Sequence, residues 1–153
     1  DKTVDKTYQA LVQGHPDPFT GTIDAPIGRY PGHEWKMAIV EGGRESITHY
    51  ETLEAHRTAT LVEVRLETGR THQIRVHLAH GGHPILGDEK YGDFTLNKVL
   101  DDMGANRMFL HAFHLEMKHP KKDEMLVLEA PMPTAFEAML ARFGVTADAV
   151  QDE

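Results

Sequence analysis

The residues best equipped for chemistry lie between Thr68 and Asp93. This stretch reads Thr-Gly-Arg-Thr-His-Gln-Ile-Arg-Val-His-Leu over 68–78, Gly-His-Pro-Ile-Leu-Gly-Asp over 82–88 and Lys-Tyr-Gly-Asp over 90–93. A strand end, a glycine turn and a helix start in succession expose backbone N–H groups and favour an anion. Arg70 and Arg75 add two guanidinium groups, each with five fixed donors that suit a carboxylate or a phosphate. On the residues alone both arginines read as solvated helix charges. Asp88 and Asp93 could serve as acid or base, but beside glycine they read as turn formers. Tyr91 reads as a loop anchor. Tyr8, in line with Ala10 and Val12, reads as a core or rim aromatic whose phenol finds a partner at the edge.

Other chemistries are poorly provided for. His72, His77 and His80 invite a metal reading, but the two-histidine pattern of metalloproteases and its adjacent glutamate are absent. No cysteine is present, which excludes disulfides, thiolate zinc sites and a cysteine nucleophile. The one serine, Ser46, has no Gly-x-Ser-x-Gly context. Neither a P-loop nor a Gly-x-Gly-x-x-Gly stretch occurs.

The elements that must position these residues are mostly strands. Lys6–Gln13 is rich in strand formers and is broken by Gly14–Pro18. Gly21–Arg29 reads as a short strand and turn, Trp35–Val40 as a brief apolar run, and Glu45–Ala55 as a strand with one exposed face. Ala59–Leu66 has the cleanest alternation, with Val62, Val64 and Leu66 opposite Glu63, Arg65 and Glu67. Thr71 is the expected N-cap of a short helix over His72–Ala79, stopped by Gly81-Gly82. A loop over His83–Gly92 leads to a second helix over Leu96–Met103. Met108–Lys118 alternates with Phe109, Phe113, Leu115 and Met117 on one face, and pairs through a turn with Met125–Ala130. Pro133–Phe143 is the last expected helix. The order is α+β: a mainly antiparallel mixed sheet flanked by short helices.

Composition sets the bounds. A chain of 153 residues with 40% apolar content is one ordinary domain with a real core. No apolar run is long enough to span a membrane, and Asp1–Lys6 has no signal-peptide core. The chain does not begin with methionine, which leads us to expect a cut or processed chain. The absence of cysteine fits a cytoplasmic setting. The net charge of -8 argues against a broad, non-specific nucleic-acid binder, although local cationic clusters act within a Debye length of about 8–10 Å.

The motif over 68–78 resembles the most recognisable segment of the pseudouridine synthases that act on ribosomal and transfer RNA. Similar to that family, in its order, are Lys6-Thr-Tyr-Gln-Ala-Leu-Val-Gln-Gly14, Gly21–Arg29, Gly82–Asp88 with Tyr91-Gly92, Phe109–Ala112 and Leu128–Pro131. The likeness covers nearly all of Lys6 to Phe143. It implies that residues 1–143 are the C-terminal part of such a catalytic domain and 144–153 an acidic tail. It implies isomerisation of uridine in RNA without metal or organic cofactor, on a nucleotide extruded from the RNA. Large-subunit ribosomal RNA is the first expected partner and transfer RNA the second, with no membrane and no metal partner. Tyr8 would stack on the flipped uracil and assist proton removal from carbon 5. Arg75 would pair with the catalytic aspartate and keep it ionised. Ile74 would pack beside the uracil, while Arg70 and His72 would order the turn or meet phosphate.

One departure matters. The family's aspartate stands in an Arg-Leu-Asp-x-x-Thr-Ser-Gly type motif before the Tyr8 strand. No such motif occurs in this chain, and Asp1 and Asp5 lack its context. The expectation is therefore a fragment, inactive alone, whose Arg75 lacks the catalytic carboxylate, and from which an upstream RNA-binding domain is also missing. Two alternatives stay open: a non-catalytic RNA-binding module on the same scaffold, and a histidine-rich metal hydrolase.

Overall fold

The computed structural model describes residues 4–32, 36–56, 58–102, 107–118 and 125–129. The element order is β1 (Val4–Gln13), β2 (Thr20–Asp24), β3 (Ile27–Arg29), β4 (Met37–Ile39), β5 (Ile47–Ala55), β6 (Ala59–Leu66), α1 (Gln73–His80), α2 (Phe94–Asp102), β7 (Leu110–Lys118) and β8 (Met125–Glu129). Six strands form one sheet in the order β2-β5-β6-β1-β7-β8, and β3 with β4 makes a separate pair. Every pairing is antiparallel. The chain is thus α+β, as its pattern implied. The expected helix over Pro133–Phe143, the tail after Gly144 and most of the turn before β8 lie outside the described residues.

β6 occupies the span predicted for it, because its alternation puts Val62 and Val64 against one face of the sheet. On that face Ala10, Val12, Val62 and Val64 pack with Ile74 and Leu78 of α1 and with Ile85. On the other face Leu11, Leu61 and Phe109 pack with Leu86 and with Leu100 of α2. Burying each such side chain contributes roughly 1.5–3 kcal/mol. The two layers fix where α1 sits, and α1 carries the arginine of interest.

Three expectations need correction. Gly21–Arg29 is two strands rather than one strand and a turn. Pro26 lacks a ladder N–H, and Gly43 comes so close to Ile27 that a Cβ would sit 2.8 Å from the Ile27 carbonyl carbon, so the chain leaves the main sheet there. Thr71 is exposed and is not the N-cap of α1. His72 takes that position with φ 57°, in the left-handed region, and makes no side-chain cap bond. The Gln73 side chain does local work instead, accepting from the Arg70 N–H at 3.0 Å. Third, the alternation over Met108–Lys118 is interrupted. Tyr8 pairs with Ala112 and Thr7 with His114, so β7 carries one extra residue at Phe113. A bulge therefore lies beside Tyr8, a position where bulges commonly re-aim side chains.

Candidate active site

α1 is eight residues long and holds two polar hubs. Its buried residues are Gln73, Ile74, Val76, His77 and Leu78. Arg75 lies between them in sequence, on the side that meets the loop after α1. There the guanidinium engages Asp88 in two parallel bonds, Nε to Oδ2 at 2.9 Å and Nη2 to Oδ1 at 2.8 Å. The Asp88 side chain is fully buried and that of Arg75 is 17% exposed. Arg75 is therefore not a solvated helix charge.

Asp88 is more than a turn former. Its Oδ1 also accepts the N–H groups of Lys90 and Tyr91, at 2.9 and 3.0 Å. Burial pushes its carboxyl up, but the Arg75 hydrogen bond and the two backbone donors outweigh that and hold it below the usual carboxylate range. The same pair raises the Arg75 guanidinium further above neutral pH. Gly87 makes the turn possible: its φ is 81°, and a Cβ there would overlap the Arg107 carbonyl. A guanidinium has five N–H donors and Asp88 takes two, so among the described residues three remain for another acceptor.

Tyr91 closes the site. Its ring lies 5.1 Å from the Arg75 Cζ, and its hydroxyl meets His72 Nδ1 at 2.8 Å. Burial, then the Arg75 and Lys90 charges, lower the His72 pKa and favour its neutral ring. Ile74 is buried in the apolar cluster on which the half-buried Tyr8 packs. Arg70 turns away from that cluster: its Nε donates to the Glu45 carbonyl at 2.8 Å. Tyr8, Ile74 and Arg75 are thus brought to the α1 face of the sheet, and Arg70 secures the loop before the helix.

The second hub is neutral. Gln73 Oε1 accepts from Thr68 Oγ1 at 2.7 Å and from the Arg70 N–H, while Nε2 donates to Ile47 O and Thr48 Oγ1, both at 2.9 Å. His77 Nε2 donates to Ala25 O at 2.9 Å, and its Nδ1 meets Thr48 Oγ1 at 2.7 Å. Burial is the main cause that lowers the His77 pKa. His80 is exposed at the end of α1. Among the described residues no group of three or more His, Asp or Glu is placed to hold a metal ion.

A groove of about 530 Å³ lies elsewhere, lined by Thr22, His49, Tyr50, Glu51, Glu63 and Arg65 among others. It contains none of the residues singled out from the sequence. Convergent polar groups around a buried ion pair mark a site better than open volume does.

Comparison with known proteins decides the family. Residues 1–80 match the family model described as RNA pseudouridylate synthase. The chain belongs to that family. The matched span includes Tyr8, Arg70, His72, Ile74 and Arg75, while Asp88 and Tyr91 lie beyond it. An uncharacterized RNA pseudouridine synthase of Mycobacterium tuberculosis (strain CDC 1551) is 53% identical over 139 residues, covering 91% of this chain and 44% of that protein. The ribosomal large subunit pseudouridine synthase D of Nitrosomonas europaea is 44% identical over 141 residues, covering 91% of this chain and 41% of the relative. The solved structure of human RNA pseudouridylate synthase domain containing 1 superposes with a TM-score of 0.74 at 27% identity, over 94% of this chain and 66% of that one. The chain thus spans less than half the length of these two bacterial synthases.

Sequence reasoning did not single out Gln73, and it gave Asp88 and Tyr91 bland roles. Only spacing within the motif could have pointed to them. Arg75 and Asp88 are joined by the fold across the loop, and no local period reports that pairing.

Proposed function

We propose that residues 1–143 form the C-terminal part of a pseudouridine synthase catalytic domain, which binds an extruded uridine of RNA on the α1 face of the sheet. Large-subunit ribosomal RNA is the first substrate to test, because relatives such as the Nitrosomonas europaea protein are named for it, and transfer RNA is the second. The setting is cytoplasmic. Among the described residues no helix is long and apolar enough to cross a membrane.

In the reaction the N1–C1′ bond breaks, a C1′–C5 bond forms, the C5 proton leaves and N1 gains a proton. The aspartate that starts it, by attack at the sugar or by proton abstraction, comes from sequence outside these 153 residues. Arg75 receives it. Asp88 holds one edge of the guanidinium, so the remaining donors are oriented before the second carboxylate arrives. Arg75 then keeps that carboxylate ionised. Ile74 and the Tyr8 ring offer the uracil an apolar wall, and Tyr8 assists departure of the C5 proton.

The observation that carries this reading is the half-used guanidinium of Arg75, held by a fully buried carboxylate next to Ile74. Tritium release from RNA labelled at uridine carbon 5 tests it. The 153-residue chain alone should release none, and the longer protein that includes an Arg-Leu-Asp type segment should release it with turnover. Turnover by the chain alone would refute the assignment of the aspartate. Failure of both, with salt-sensitive RNA binding retained, would favour a non-catalytic RNA-binding module.

A further inference from the structure

Tyr91 joins three elements that the chemistry of Arg75 does not by itself require to meet. Its N–H donates to Asp88 Oδ1 at 3.0 Å, so its backbone hangs from the carboxylate that holds Arg75. Its hydroxyl oxygen accepts the Met37 N–H at 2.9 Å, which ties the β3–β4 hairpin to the site. The same hydroxyl meets His72 Nδ1, and the two rings stand edge to face at 73° with centroids 5.5 Å apart.

A phenol has one proton. The Tyr91 oxygen accepts the Met37 N–H and shares one further hydrogen bond with His72 Nδ1, whichever ring nitrogen of His72 carries the proton. His72 holds an uncommon left-handed backbone conformation at the start of α1. The Tyr91 hydroxyl thus secures both the hairpin and the residue that begins the helix of Arg75. The ring has a separate task, since the Arg75 guanidinium carbon lies 5.1 Å from its centroid. The hairpin brings Lys36 to the same place, with its ammonium 5.1 Å from the Tyr30 ring and 5.8 Å from that of Tyr91. Tyr30 is 41% exposed. An exposed aromatic beside a cation suits a stacked base and its phosphate.

We propose that Tyr91 is a positioning residue with two separable parts. The hydroxyl sets the hairpin for holding RNA, and the ring orients Arg75 for the chemical step. The second part rests on the reading of Arg75 given above.

The test uses the full-length protein and steady-state tritium release. Tyr91→Phe keeps the ring and removes the hydroxyl, and should raise the KM for RNA about tenfold, as loss of one or two hydrogen bonds does, with the smaller part of the loss in kcat. Tyr91→Leu should show the same KM rise and a further fall in kcat of about tenfold or more. Melting curves of both variants separate this from loss of fold. Loss of activity in step with the folded fraction, with KM unchanged in both, would overturn the proposal. Arg75→Met is the control for the underlying reading. Normal turnover there would remove the ring's part together with that reading, while the KM rise in Tyr91→Phe would still support the hydroxyl's part.

Discussion

Two polar hubs sit on α1 two residues apart, and they are finished to different degrees. Gln73 uses both donors and both acceptor positions of its amide, and the attached His77 is closed by a hydroxyl on one side and a carbonyl on the other. Arg75 gives Asp88 two of its donors, and the others have no partner among the described residues. A fully satisfied buried network rigidifies and specifies a fold. A buried cation with open donors is prepared for a further anion. On the proposed function, Gln73 and His77 hold the helix on β5 and Arg75 serves the reaction.

The largest expected effect would break the comparison if absent. In the full-length protein Arg75→Met should lower kcat roughly 10²–10³-fold, the usual cost of removing one preorganised electrostatic group. It should also destabilise the fold by about 3 kcal/mol, because Asp88 is left charged and buried with only backbone donors. Chemical denaturation and turnover, measured on the same preparation, check both.

Gln73→Leu should show the opposite balance. It leaves the Arg70 N–H unpaired and takes one of two partners from the Thr68 and Thr48 hydroxyls and the Ile47 carbonyl, and should cost about 1–3 kcal/mol in a urea titration. Turnover per folded molecule should change far less than in Arg75→Met. Equal losses of kcat in the two variants would abolish the distinction.

The closed hub also has a pH signature. The folded state keeps His77 neutral with its pKa below 6.5, whereas the unfolded chain takes up a proton as the pH falls through 6.5. Below 6.5 the unfolded state therefore binds more protons, and stability falls as the pH drops towards the folded pKa. His72, lowered by burial and by Arg75, adds in the same direction. Urea midpoints at pH 7.5 and 5.0 should fall less in His77→Gln than in the parent.

The smallest effect concerns the helix start. Thr71→Ala should change stability by less than about 0.5 kcal/mol, where loss of a real N-cap would cost about 1 kcal/mol. A larger drop in melting temperature would restore Thr71 as the cap.

What could be read without coordinates follows from the range of each interaction. β6 was legible because alternation is local and both its edges are paired, to β1 and to β5. The family motifs were legible because residue types and order carry them. The start of α1 was misjudged because Thr71 satisfies every local rule for a cap. The left-handed turn at His72 is held by Tyr91, nineteen residues away. The bulge at Phe113 escaped for a similar reason, since it depends on the register against Thr7 and Tyr8. Asp88 looked like a turn residue and is one, but its role toward Arg75 exists only when the loop folds back along α1.

The central claim is that the open donors of Arg75, and not the closed amide of Gln73, serve the reaction. Single-turnover tritium release by the full-length protein, with Arg75→Met and Gln73→Leu compared at equal folded concentration, tests it most directly. The account predicts a rate at least about a hundredfold lower for Arg75→Met and within about tenfold of the parent for Gln73→Leu. An Arg75→Met rate close to that of the parent would contradict it.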